Sequence, residues 1–374
     1  MGPFSQRAYF DRQPNAWATR LTELRNSGRT LINLTESNPT RCGLHNPPVP
    51  TLDGPMATHS VYEPAPLGLT PAREAVAQYY ADKGIDVSAN QVVLTASTSE
   101  SYSLLFKLLL NPNDAVLLPR PSYPLFDFLA QLDAVRPIPY GAMDSASLEA
   151  GLTSGARVAL TVHPNNPTGQ FVNSDVRNSL LDALAERKGA LLADEVFYDY
   201  CWMDDRPPSF AGCRDVLCFV LSGLSKVCGL PGHKCGWIVV GGPHGLRDEA
   251  LARLECMCDT YLSVNTAVQH ALPSLLAGRE PFQQNLKARI RSNWETLQAH
   301  VPGVESRQGG WSAVIRLDPG CDDEGVAIQL LEQFGVVVHP GYLFDFPTHD
   351  RLVLNLIAPT EIFTKGVHCV ASAL

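Results

Sequence analysis

The sequence predicts an α/β protein, with a large domain on a mostly parallel sheet covered by helices and a smaller α+β domain. Three observations carry this expectation. Short apolar runs alternate with helix-patterned stretches between residues 71 and 242, the pattern of strands buried on both faces. Segments rich in Gly, Ser, Asn and Asp follow those runs, at the strand exits where open α/β sheets bind ligands. The C-terminal third then changes to the order strand, helix, strand, strand, helix.

Residues 10–29 place Trp17, Leu21 and Leu24 at helical spacing and stop near Gly28. LINLTESNPT and a proline-rich loop, 47–66, come next. Helical periodicity runs over 71–83 and ends at Gly84. QVVLT (91–95) reads as a buried strand and 100–110 as an apolar helix. AVLLP (115–119), RVALTV (157–162) and ALLADEVF (190–197) are further strands, and VLCFVLS (216–222) and WIVVGG (237–242) are β-rich runs too. Helices are expected over 246–258 and 281–300. The tail reads as strand WSAVIRL, helix 323–334, strands VVVHP and RLVLNL, and helix 360–373. The expected division is a large domain over 45–278 and a small one from 1–44 plus 279–374.

The 374 residues suffice for two domains at ~150 residues each, and 45% hydrophobic with 18% charged residues is globular composition. A net charge of −9 repels a phosphate backbone, so a nucleic-acid partner is not expected. No apolar run approaches the ~18 residues of a membrane span. MGPFSQRAYF lacks the apolar stretch of a secretory signal and carries Gln6 where myristoylation needs Ser or Thr. The expectation is a soluble, cytoplasmic protein without membrane partners. Its ten cysteines contain no C-x-x-C and read as reduced thiols, mostly buried. Its ten histidines form no HExxH or H-x₃-H pattern, so no metal is expected.

Four segments at strand exits face a common crevice: Thr95-Ala-Ser-Thr-Ser-Glu100, His163-Pro-Asn-Asn-Pro-Thr-Gly169, Asp194-Glu195 and Ser222-Gly-Leu-Ser-Lys226. An acid after the apolar run ALLA is costly to bury unless a cation pairs with it. A lysine ordinarily lies in solvent. Lys226 instead sits between a strong strand and a Gly-Leu-Pro-Gly turn.

HPNNPTG, ADEVF and SGLSKVCGLPGHKCGW, in that order, resemble the class I/II aminotransferases, fold-type I enzymes that use pyridoxal 5′-phosphate. Asn166 precedes Asp194 by 28 residues and Asp194 precedes Lys226 by 32, spacings that match the family. The resemblance runs from about Leu31 to Ala358 and implies a mostly parallel, seven-stranded-type sheet. It assigns Lys226 the Schiff base with the cofactor aldehyde (the internal aldimine) and the later transfer of the α-proton. Asp194 pairs with the pyridinium, Asn166 donates to the 3-oxygen and Tyr123 stacks on the ring. Ser97, Thr98 and Ser99 open a helix whose N-terminus suits the phosphate, with Ser222 and Ser225 as further donors. Tyr62, in Tyr-x-Pro-x-x-x-Gly68, is similar to the tyrosine that crosses from the partner subunit, which implies a homodimer with shared active sites.

Three positions depart from the family pattern. Phe197 stands where a tyrosine usually bonds the 3-oxygen; either Asn166 holds that oxygen without it, or Tyr198 is displaced into the role. Lys234, eight residues after the lysine, replaces an arginine forked onto the phosphate. Val353 occupies the place of the arginine that clamps the substrate carboxylate. Arg351 shares its strand face two residues earlier, as a displaced clamp or a solvated rim residue. Ser37 and Trp311 are further candidates for substrate contact, and Arg41 lies near Ser37.

The resemblance implies ping-pong transfer of an amino group from a small-molecule amino donor, such as an amino acid, to a 2-oxo acid. A C–S lyase or other lyase of the same fold is the alternative, because the same residues serve β-elimination. A non-catalytic cofactor-binding regulator is remote: about 40 residues precede the first motif and the chain is acidic.

Overall fold

The computed structural model describes residues 5–10, 13–44 and 64–374. Helix α1 (Ala16–Asn26) starts at Asn15, whose side chain accepts from the Ala18 amide, and is followed by β1 (Ile32–Asn33). From α2 (Thr70–Ala81) the chain alternates through β2 (Val92–Thr95), α3 (Thr98–Leu109), β3 (Ala115–Arg120), α4 (Phe126–Leu132), β4 (Arg136–Gly141) and α5 (Ser145–Thr153). It continues through β5 (Val158–Val162), α6 (Ser174–Glu186), β6 (Ala190–Asp194), β7 (Leu217–Gly223), the one-turn α7 (Leu224–Val227) and β8 (Gly236–Gly241). Helices α8 (His244–Tyr261), α9 (Thr266–Ala277) and α10 (Arg279–His300) come next. The tail comprises β9 (Ser312–Arg316), α11 (Asp323–Phe334), β10 (Val336–Val337), β11 (His339–Pro340), β12 (Arg351–Asn355) and α12 (Thr360–Ala373).

Seven strands form one sheet in the order β2-β8-β7-β6-β5-β3-β4, and β8 alone runs antiparallel to its neighbours. Every residue of β2, β5, β6 and β8 is buried, as expected of strands covered on both faces. The period of two is visible in the packing. Val92, Leu117, Leu191, Val220 and Trp237 join the core on one face, and Val93, Leu118, Leu192, Leu221 and Ile238 that on the other. A separate core joins Trp17, Leu21 and Leu24 of α1 to Phe282 and Ile290 of α10, Trp311 and Phe363. Around it β11, β12 and β9 form an antiparallel sheet, while β1 pairs in parallel with β10.

The strand-by-strand reading holds for the interior of the large sheet and fails at its edge. β4 (Arg136–Gly141) contains Pro137 and Pro139, which a central strand would not tolerate; as an edge strand it needs no donor on its outer side. VVVHP is not one strand. It divides at Val338, because β10 pairs with β1 whereas β11 pairs with β12. The strand expected over 190–197 ends at Asp194, where the chain turns. None of the ten cysteines forms a disulfide, and six are buried. Among the described residues no helix is long and apolar enough to cross a membrane.

Candidate active site

The C-terminal ends of β2, β5, β6 and β7 open onto a cavity of about 340 Å³, the crevice expected of an open α/β sheet. Thr98, Ser99, Tyr102, Tyr123, Asn166, Asp194, Ser225 and Lys226 line it from the side of the large sheet. Ser37, Trp311, Ser312, His339 and Asn355 close the other side.

Asp194 and Glu195 leave β6 in opposite directions, as consecutive strand residues must. The Asp194 carboxylate turns to the cavity, where Oδ2 accepts from the Tyr102 hydroxyl at 2.5 Å and Oδ1 from the Val196 amide at 3.0 Å. Burial raises its pKa, against those two hydrogen bonds and the charge of Lys226. Glu195 points into the core, where Ser209 Oγ and the Phe210 amide donate to it at 2.6 and 2.7 Å. Burial pushes it up to about 7, and it does not line the cavity.

Lys226 is carried on the one-turn α7, whose carbonyls are tied from outside. Tyr200 donates its hydroxyl to the Lys226 carbonyl at 2.7 Å, and Gln283 Nε2 donates to the Val227 carbonyl at 2.9 Å. The Nζ atom lies 4.8 Å from the centre of the Trp311 ring and 5.4 Å from that of Phe197. Burial lowers its pKa to about 8, with Asp194 pulling the other way.

The N-terminus of α3 meets the start of β8. A Cβ on Gly236 would sit 3.2 Å from the Thr98 nitrogen, so any side chain there would push the strand and this helix end apart by a few tenths of an ångström. Ser97 caps α3 by accepting from the Glu100 amide at 3.2 Å, which leaves Thr98 and Ser99 as the hydroxyls on the cavity wall. Ser222 Oγ is buried and unpartnered just behind that wall. Lys234, two residues before Gly236, is exposed and does not line the cavity.

The loop after β5 returns sharply at Gly169 (φ +69°), where a Cβ would lie 2.4 Å from the Gly309 carbonyl. That approach brings Asn166 beside β9, with Ser312 Oγ 3.2 Å from Asn166 Oδ1. Tyr123 keeps its ring 40% exposed on the opposite part of the wall, edge-on to Phe126.

Two expectations are corrected. Tyr198 does not take over from Phe197: its hydroxyl donates to the Pro207 carbonyl at 2.9 Å and its ring stacks on His163, while Phe197 faces the cavity. Arg351 does not line the cavity, because it sits four residues from Asn355 at the far end of β12. Its guanidinium is engaged there by Glu305 at 2.6 Å and by Asp350. Arg351→Ala is therefore expected to change kcat/KM for carboxylate substrates by less than about fivefold, the equivalent of ~1 kcal/mol. Steady-state kinetics beside a thermal melt would check this, and a larger fall confined to carboxylate substrates would restore the clamp. Tyr62 lies outside the described residues.

The sequence reading missed Tyr102, Ser312, His339 and Asn355. Asn355 was accessible in principle, since it shares a strand face with Arg351 and Val353. The other three carry no motif and are brought in by packing.

These residues suit pyridoxal 5′-phosphate on their own chemistry. Asp194 is a buried carboxylate that makes hydrogen bonds to Tyr102 and the Val196 amide but no salt bridge among the described side chains, and a ring N–H⁺ would supply one. The helix N-terminus with Thr98 and Ser99 suits a phosphate, and Lys226 is an amine of lowered pKa.

Comparison with known proteins agrees. Residues 58–359 match the model of the family described as aminotransferase class I and II. The chain is 27% identical to an alanine aminotransferase of Mycobacterium tuberculosis over 350 residues, 87% of this chain and 81% of that protein. It is 25% identical to a glutamate-pyruvate aminotransferase of Escherichia coli over 364 residues, 89% and 87% of the two chains. The alanine aminotransferase structure from Pyrococcus furiosus superposes with a TM-score of 0.86 at 22% identity, covering 99% of this chain and 98% of that one. The chain belongs to the class I and II aminotransferase family, with a fold-type I architecture. It is a pyridoxal 5′-phosphate-dependent aminotransferase.

Proposed function

We propose that this enzyme moves an amino group from an amino donor to a 2-oxo acid by a ping-pong mechanism, with Lys226 and Asp194 as its catalytic residues. The observation that carries the assignment is that one cavity holds both a lysine with a pKa lowered to about 8 and a buried carboxylate that makes no salt bridge. When bound, the cofactor supplies an aldehyde that condenses with amines and a ring that withdraws electrons from the substrate carbon. Lys226 Nζ holds the cofactor and, once released, carries the proton taken from the substrate carbon. Asp194, fixed by Tyr102 and the Val196 amide, keeps the ring nitrogen protonated. Tyr123 would stack on the ring, Asn166 would donate to its 3-oxygen, and Thr98, Ser99 and Ser225 would hold the phosphate from the cavity wall, with Ser97 as the cap of that helix, Ser222 behind the wall and Lys234 outside the cavity adding only its charge. Ser37 and Trp311 bound the substrate space.

Each amino donor added alone to the holoenzyme should convert the cofactor absorbance stoichiometrically, and a 2-oxo acid should restore it. Continuous ammonia release from a β-substituted amino acid alone would mark a lyase instead. The pH dependence of cofactor uptake gives an independent check. Only neutral Nζ is a nucleophile, so the rate of covalent capture by apoenzyme should rise with pH up to about 8 and then level off. A rate still climbing above pH 10 would mean an ordinary, solvated lysine.

The rest of the reading concerns organisation. We assign 45–278 to the large domain and 1–44 with 279–374 to the small one, a division supported by the separate core of α1, α10 and α12. A homodimer sharing its active sites through Tyr62 is proposed on the Tyr-x-Pro motif, and a monomeric mass in sedimentation would remove it. Ten cysteines with no disulfide among them support a cytoplasmic location.

A further inference from the structure

The wall formed by β9, β12 and the loop after β5 decides what the substrate can carry beside its amine. Three side chains converge there. Ser312 Oγ lies 3.2 Å from Asn166 Oδ1 and 3.1 Å from Asn355 Oδ1. The orientation of Asn355 is set by its Nδ2, which donates to the Thr35 carbonyl at 3.0 Å; a carbonyl only accepts, so Oδ1 must face Ser312. A serine hydroxyl has one proton. It therefore satisfies one of the two amide oxygens at a time, and the wall is an acceptor short of a donor.

The charges around this wall point the same way. Arg351 is held at the other end of β12 by Glu305 and Asp350. His339 also lines the cavity, but burial lowers its pKa to about 4, so the imidazole is uncharged at neutral pH. Among the described residues, Lys226 is the one cationic side chain on the cavity surface, and residues 45–63 contain neither Lys nor Arg. A carboxylate only accepts hydrogen bonds, and among this protomer's described residues it would meet two amide oxygens and a hydroxyl with no cation other than Lys226, which is committed to the cofactor. A carboxamide N–H or an alcohol O–H would give Asn355 a donor that it need not share with Asn166.

We propose that the preferred amino donor carries a neutral hydrogen-bond donor, a carboxamide or a hydroxyl, where an amino acid carries its carboxylate, and that Asn355 Oδ1 receives it. The inference rests on the aminotransferase reading and names the substrate class of that site. A 2-oxo acid acceptor meets the same wall in the second half-reaction, so it should show a higher KM than its amide.

The test uses the holoenzyme with alanine, alaninamide and 2-amino-1-propanol as donors, together with calorimetric dissociation constants for 2-methylalanine and 2-methylalaninamide. The last two have no α-hydrogen and report binding without turnover. Expected are a Kd at least about tenfold lower for 2-methylalaninamide than for 2-methylalanine and the same order in kcat/KM, a margin of ~1.4 kcal/mol. The separate alaninamide and aminopropanol arms show which donor group is favoured. Asn355→Leu should abolish the margin, whereas Ser312→Ala, which frees both amide oxygens, should keep or widen it. Equal or tighter binding of 2-methylalanine by the wild-type protein would overturn the proposal, as would an undiminished margin in Asn355→Leu. If Asn355→Leu fails to fold, the wild-type comparison and Ser312→Ala still decide. Failure of all three donors to convert the cofactor would instead count against the aminotransferase reading, and the two dissociation constants would judge this one separately.

Discussion

Lys226→Ala is expected to lower kcat by at least about 10⁴-fold, the upper end of what a positioned general base contributes. The loss is chemical rather than structural. The scaffold holds α7 through backbone carbonyls, with Tyr200 on that of Lys226 and Gln283 on that of Val227, and alanine keeps both. A melting temperature close to the parent's is therefore expected, together with retained non-covalent binding of the cofactor through Asp194 and the start of α3. Borohydride reduction of the parent holoenzyme followed by peptide mapping should place the pyridoxyl label on Lys226. A label on Lys234 would overturn the assignment, and so would a Lys226→Ala protein with more than a few per cent of normal turnover.

Asp194→Asn is expected to have the second largest effect, a fall in kcat of about 10²–10⁴-fold against a loss of cofactor affinity nearer tenfold. The substitution keeps the shape and removes the charge. Breaking a buried ionic pair costs ~3–5 kcal/mol, which is about two to four factors of ten in rate when the pair operates in the transition state. Asparagine also presents one oxygen to two donors, the Tyr102 hydroxyl and the Val196 amide, so with its oxygen on the amide the Tyr102 hydroxyl must turn and accept from Nδ2, which replaces a charge-assisted bond by a neutral one. The variant carries an internal check. Asp194 opposes the burial that lowers the Lys226 pKa, so without its charge the midpoint of cofactor capture should move below about 8. Near-normal turnover, or a midpoint displaced upward, would show that the carboxylate does not face the cofactor nitrogen.

The sequence by itself determined the interior of the large sheet and the polar groups at its strand exits that meet in one cavity. Its strands are buried on both faces, so each is a short apolar run between turns, and the polar residues lining the cavity follow the ends of those runs. Local order is enough to read Asn166, Asp194 and Lys226, because strand exits in a parallel sheet face one crevice wherever the helices go. The helices over 323–334 and 360–373 were equally legible, their amphipathic period coinciding with the observed α11 and α12.

The tertiary structure alone decided the direction of β8, the edge strand β4, the division of VVVHP and the substrate wall. These depend on pairing, and pairing is a property of partners distant in the chain. Arg351 and Asn355 look equivalent in a strand of period two, since both share a face with Val353. Register separates them. Pairing Arg351 with Arg316 and Asn355 with Ser312 puts the arginine near Glu305 and Asp350, and the asparagine in the cavity. Tyr198 shows the same dependence: one residue from Phe197, it points elsewhere because the chain turns after Asp194, and only the folded core says where its hydroxyl goes.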